Sequence, residues 1–120
     1  MYGLKKDIDL SFLSARELIQ VAIGVYQIQF GFDKDVIIYV ESQFNYFDGH
    51  EEWIWKPEPG AAQIAARTVF LLSATIQSFE GQENGTLILM FSNGGRLTIP
   101  DSSREYESYQ ITRPGQTIIV

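Results

Sequence analysis

The spacing of apolar residues divides this chain into short segments. Between Asn84 and Pro100, Leu87, Leu89 and Phe91 recur at every second position, Asn93-Gly94-Gly95 interrupts, and Leu97 and Ile99 resume the period. Alternation at period two gives a strand one buried face, and Asn and Gly supply the positive φ of a tight turn, so the stretch predicts a β-hairpin. Ile28, Phe30 and Phe32 alternate in the same way. Asp33-Lys34-Asp35 then turns the chain, and Val36 to Val40 is apolar on both faces, as suits a doubly covered strand. Leu18 to Ile23 and Thr75 to Glu80 read as the strands preceding these two hairpins.

Phe44 to Trp55 reads as a more polar hairpin around Asp48-Gly49, with Phe44, Tyr46, Trp53 and Trp55 placed to meet across it. Lys56-Pro57-Glu58-Pro59-Gly60 stops it, because proline donates no ladder hydrogen bond. From about residue 61 to about 72 the period lengthens, and Ala61, Ile64, Ala65, Val69 and Leu72 share one side of a helix. Tyr106 to Thr112, a turn at Arg113-Pro114-Gly115 and a short strand over Gln116 to Val120 close the chain.

The two halves repeat one another, about 13–42 against about 70–102. Leu18-Ile19-Gln20 stands opposite Thr75-Ile76-Gln77, Ile28, Phe30 and Phe32 opposite Leu87, Leu89 and Phe91, and Glu41-Ser42 opposite Asp101-Ser102. The expected fold is β-rich α+β in a single domain over 1–120. Two related three-strand antiparallel meanders form a sandwich or a barrel-like sheet and are joined by one helix. One register stays open. The repeat pairs Ile37 and Tyr39 with Leu97 and Ile99, whereas a three-residue turn at Asp33 to Asp35 puts Val36, Ile38 and Val40 on the face of Phe30. The turn-based register is preferred, with Ile37 and Tyr39 as a second cluster beneath the helix.

Composition narrows the function classes. A chain of 120 residues, 45% hydrophobic, builds a core without staples, and with no cysteine it has neither a disulfide framework nor a thiolate site. Fifteen acidic against nine basic residues, a formal charge of −6, argue against nucleic acid and anionic membranes as partners. Met1 to Asp9 holds no apolar signal core, and no run approaches the roughly 18–20 apolar residues of a membrane span, so a cytoplasmic location is expected.

The pattern Gly85-Thr86-Leu87-x-Leu89-x-Phe91-Ser92-x-Gly94, then Leu97 to Pro100 and Tyr106-Glu107 ahead of Tyr109, resembles a family of small bacterial proteins of unknown function. Gln20, Val21, Gln27, Phe30, Phe32 and Glu41-Ser42 extend the resemblance through the first half. It implies a β-rich single domain of bacterial origin and brings no catalytic residues. Tyr109 stands where that family usually has Trp.

Candidate chemistry is sparse. The single histidine, His50, lies in Asp48-Gly49-His50-Glu51-Glu52, but neighbours on a turn point apart, and a metal site needs three or four convergent ligands. No metal and no cofactor are expected. No Gly-x-Ser-x-Gly elbow exists, and Asp33 with Asp35 or Glu105 with Glu107 read as solvated surface rather than acid–base pairs. Asn93-Gly94-Gly95 leads into a strand, not a helix, so it cradles no phosphate, and Asn84-Gly85-Thr86 reads as a turn.

The aromatic hairpin remains. Its rings close one end of the core or face a partner, and Tyr46, His50, Glu51, Glu52, Trp53 and Trp55 are the candidate binding residues. The expected function is non-catalytic. The protein binds another protein, a basic one by charge, in the manner of an immunity or adaptor protein. Homodimerisation through Gln116 to Val120 is a further expectation. The alternative is a carrier holding a small molecule in a barrel mouth between the meanders.

Overall fold

A computed structural model of the chain describes Leu4, residues 8–102 and residues 107–120. Tyr106 of the Tyr106-Glu107 motif, Glu105 of the suggested acid pair and Met1 to Gly3 lie outside the described residues.

Among the described residues ten strands form in the order expected from the alternation: β1 (Leu18–Ile23), β2 (Ile28–Phe32), β3 (Val36–Val40), β4 (Phe44–Phe47) and β5 (Glu52–Trp55). After the helix α1 (Ala62–Ala66) come β6 (Ile76–Gly81), β7 (Leu87–Phe91), β8 (Arg96–Ile99), β9 (Tyr109–Arg113) and β10 (Gln116–Ile119). They build two five-stranded antiparallel sheets, β1-β2-β3-β9-β10 and β5-β4-β8-β7-β6. Each half contributes a three-strand meander to one sheet and then sends its last hairpin to the other. Hairpin β4–β5 pairs Tyr46 with Leu97 of β8, and hairpin β9–β10 pairs Ile111 with Ile38 of β3.

The repeat is therefore longer than the meanders alone. Both first strands carry a bulge at corresponding places, between Leu18 and Gln20 and between Ile76 and Ser78. Ala15 and Ser73, just ahead of them, both take positive φ, 64° and 75°. Between these strands the backbone bonds are reciprocal. Ala15 N–H donates to the Ile76 carbonyl as Ser73 N–H does to Leu18, and Leu18 N–H donates to Ala74 as Ile76 N–H does to Arg16. Glu17 and Thr75 bridge each other. Two chain segments exchange bonds in this way only about a two-fold axis, which passes here between Glu17 and Thr75.

The axis corrects the repeat alignment by one residue in two strands. Leu18 corresponds to Ile76, since each is the last pair before its bulge, opposite Phe32 and Phe91. Ile38 and Val40, not Ile37 and Tyr39, correspond to Leu97 and Ile99. The turn-based register thus holds, and Val36, Ile38 and Val40 are buried. Ile37 and Tyr39 are half-buried on the opposite face, and α1 packs against β5 and β1 instead of covering them.

The sheets face each other as a sandwich. Phe32 stacks on Phe91 across the gap with centroids 6.4 Å apart, and Phe30 meets Phe44 edge-on at 5.4 Å. Ile28, Ile38, Leu89, Leu97 and Ile99 fill the space around these rings and are fully buried. Tyr109 is sealed in the same core, where its hydroxyl donates to the Gly85 carbonyl at 2.6 Å. Burial pushes its pKa well up.

The predicted helix is shorter than expected and changes pitch. α1 ends at Ala66, and Arg67–Leu71 continues as a 3-10 turn. Tightening from 3.6 to 3.0 residues per turn rotates the buried stripe. Ala61, Ala65, Thr68 and Leu71 face inward, while Val69 and Leu72, expected in the core, are exposed. Leu71 packs where a side chain at Gly95 would stand. Replacing Gly95 by Ala therefore overpacks this contact and should cost about 1–3 kcal/mol, read as a lower denaturant midpoint. An unchanged midpoint would contradict the packing described.

Candidate functional site

The β4–β5 hairpin and the 3-10 turn after α1 enclose a surface groove of about 370 Å³, lined by Tyr46, Asp48, His50, Arg67 and Phe70. Its construction follows from the hairpin's pairing. Phe44 stands opposite Trp55 and Tyr46 opposite Trp53, as the sequence predicts. Period two sends Phe44 and Tyr46 inward, so Tyr46 reaches the groove from below and is buried. The turn is closed by Asp48, whose Oδ1 accepts the backbone N–H groups of His50 and Glu51, both at 2.8 Å. Those bonds hold the Asp48 carboxyl below the ordinary carboxylate range.

Trp53 is half-buried and fixed from two sides. Its indole N–H donates to Asp48 Oδ2 at 3.4 Å, and the Arg67 guanidinium lies 3.6 Å from the ring centroid. The opposite wall is set by Thr68, whose buried hydroxyl donates to the Ala65 carbonyl at 2.6 Å, and by Asn93, whose amide donates to the Phe70 carbonyl at 3.1 Å. The backbone there is pinned while the Phe70 ring projects, 63% exposed, beside exposed Val69 and Leu72.

Tyr46, in the groove's lining, carries a polar atom that no described residue satisfies. The Tyr46 hydroxyl is buried and has no hydrogen-bond partner among the described residues. Burial, with the Asp48 charge adding to it, raises its pKa, so the phenol stays protonated and able to donate.

Of the candidates read from sequence, Tyr46 and His50 line this groove, Trp53 touches its lining residues Asp48 and Arg67, and Glu51 and Glu52 are exposed on the same hairpin. Trp55 does not belong with them. It is fully buried, stacked on Phe44 at 5.4 Å, and closes the end of the core. Arg67 and Phe70 were missed, because the helical pattern drew attention to the inward stripe. An aromatic off that stripe was the one sign available.

His50 meets an acid only on its own turn, and among the described residues no three His, Asp or Glu side chains gather as metal ligands. Among the same residues no helix is long and apolar enough to cross a membrane.

The groove's electrostatics can be followed by pH. The Asp48 pKa is depressed in the folded state, so its support of the turn is fully present above about pH 4 and is lost as pH falls through the lower folded value. The Trp53 indole proton, followed by NMR, should therefore shift with a midpoint below about pH 4, and a midpoint above it would refute this hydrogen-bond pattern.

A family model described as a family of unknown function (DUF6188) matches residues 11–120. No curated protein and no solved structure matches the chain.

Proposed function

The chain belongs to that family of unknown function, and we propose that it works by binding another protein rather than by catalysis. In this reading it is a small acidic cytoplasmic protein of bacterial origin, immunity- or adaptor-like in its action. The observation that carries the proposal is the groove itself, with the exposed Phe70 ring in its lining beside a buried Tyr46 whose hydroxyl has no partner among the described residues. A buried hydroxyl without a partner costs about 1–3 kcal/mol, a cost that would be removed if a small shift of the hairpin on binding let an acceptor of the partner reach it. An exposed aromatic beside it supplies the kind of anchor on which protein interfaces concentrate their energy.

The chemistry of the partner follows from the surroundings. Asp48, Glu51 and Glu52 lie at the hairpin tip, and Arg67, the cation in the groove's described lining, is engaged by Trp53. The groove thus suits a basic segment bearing one large apolar side chain to seat against Phe70. The complementary charge would speed encounter with such a partner more than it would tighten the complex. The carrier alternative has weaker support, because the space between the meanders is filled by buried side chains. Pairing with a second copy through β10 is a separate proposal, supported by that strand's place at the outer edge of its sheet.

Two experiments separate binding from folding. Tyr46→Phe removes a hydroxyl the fold does not use, so the melting temperature should hold or rise while partner affinity falls. A photo-crosslinking residue at position 70 should give a discrete adduct whose cross-linked peptide contains Lys or Arg. The adduct should be lost in the Glu51→Lys, Glu52→Lys variant and absent with the probe at Ser78. Identical adducts from positions 70 and 78, or none from position 70, would sink the proposal.

A further inference from the structure

The two-fold relation predicts a second groove equivalent to the first, and one is present whose described lining carries three cations and no acid, where the first carries one acid and one cation. Across the two-fold axis the turn over residues 11–14 and the β9–β10 hairpin tip enclose about 340 Å³. Phe12 takes the place of Phe70, and Arg113, at the end of β9, takes the place of Asp48. Arg16 and Lys34 complete the polar wall. Of the six described basic residues, Arg16, Lys34 and Arg113 line this groove, and only Lys56, Arg67 and Arg96 lie elsewhere. No acid is among the described lining residues. In a chain of net charge −6 such a cluster is not a product of composition.

Its parts are positioned. The Arg113 guanidinium lies 4.5 Å from the Phe12 ring centroid, and Arg16 Nε donates to the Ser14 carbonyl at 3.4 Å. The nearby acids are partly committed to the backbone. Asp33 Oδ1 accepts the Glu17 N–H at 2.9 Å and lies 3.7 Å from Arg16, and Asp9, whose Oδ1 accepts the Ser11 N–H at 2.9 Å, is also stabilised by the charge of Arg113. Asp35 shares the turn with Lys34. Ser11 and Ser14 lie along the groove, and Phe12 with the buried Val36 gives it an apolar side.

We infer that this groove is a binding site for an oxyanion, a phosphate or carboxylate group carried on a small apolar body. Two guanidiniums and an ammonium provide charge-assisted donors for the oxyanion, and planar guanidinium forks match carboxylate and phosphate geometry. The volume exceeds what the charged group alone would occupy, and the apolar side would take the remainder. Nothing in this inference depends on the protein-binding role of the first groove.

The test is titration of the isotope-labelled full chain with phenyl phosphate, benzoate and inorganic phosphate, read by amide and arginine side-chain NMR shifts. Either aromatic oxyanion should move Ser11, Ser14, Arg16 and Arg113 and bind more tightly than inorganic phosphate, and the stronger of the two identifies the preferred headgroup. Resonances of Asp48, His50, Arg67 and Phe70 should stay still, because the equivalent groove carries Asp48 in the place of Arg113. Arg16→Gln with Arg113→Gln should weaken binding about tenfold or more, and native binding should fall as salt rises. Should that variant fail to fold, Lys34→Gln on the exposed turn should still weaken binding. The inference is overturned if neither aromatic oxyanion moves these resonances, if inorganic phosphate binds as tightly, if both grooves respond alike, or if binding ignores salt and the substitutions.

Discussion

The constraint on which the molecule depends is the exchange of hairpins between its two sheets. A three-strand meander leaves the far edge of its third strand with unpaired N–H and C=O groups, and such an edge must be paired or covered. Here each half satisfies the other. β9 pairs along β3 and β4 along β8. The same crossing carries Phe44 against Phe30 and seals Tyr109 over Gly85. Removing either hairpin would expose a strand edge in one sheet and core residues in both, so neither sheet is complete within its own half.

The exchange also makes the grooves. Tyr46, Asp48 and His50 belong to the first half and meet Arg67 and Phe70 at the start of the second, while Arg113 is brought from the second half to Phe12 and Arg16 in the first. One architecture thus yields two related sites, which differ through the residues at a few equivalent positions. Asp48 against Arg113 puts an acid in one groove where the other has a cation, and Tyr46 against Ile111 gives the first half's hairpin a buried hydroxyl that its counterpart lacks. Backbone reciprocity is retained at the axis, where both halves must fit one another, and the differences accumulate at the hairpin tips, where they need not.

Much of the fold was legible in the sequence because it is written at period two. Alternation placed the strands, and turn length decided that Val36, Ile38 and Val40 face the core, a one-residue question the repeat alone answered wrongly. The exchange was not legible. Alternation says which face of a strand is buried but not which strand lies beside it, so β4 was readable as a hairpin partner of β5 and not as a neighbour of β8. The helix ran short because a change of pitch at Arg67 leaves no mark in a 3.6-residue pattern. At the first groove Tyr46 and His50 stood among the residues singled out from sequence, but Arg67 and Phe70 come from a later segment that only tertiary structure brings near. For Trp55 the sequence left two readings open, and the structure takes the one in which the ring closes the end of the core, a choice that a line of text does not carry.

If the halves are interlocked as described, the hairpins cannot open while the meanders stay folded. Native-state hydrogen exchange of the backbone amides of Tyr46 and Ile111, compared with those of Phe30 and Leu89, tests this most directly. The account predicts that all four exchange through one global opening, with the same free energy and the same denaturant dependence. Exchange of Tyr46 or Ile111 through a separate opening of lower energy, with Phe30 and Leu89 still protected, would contradict it.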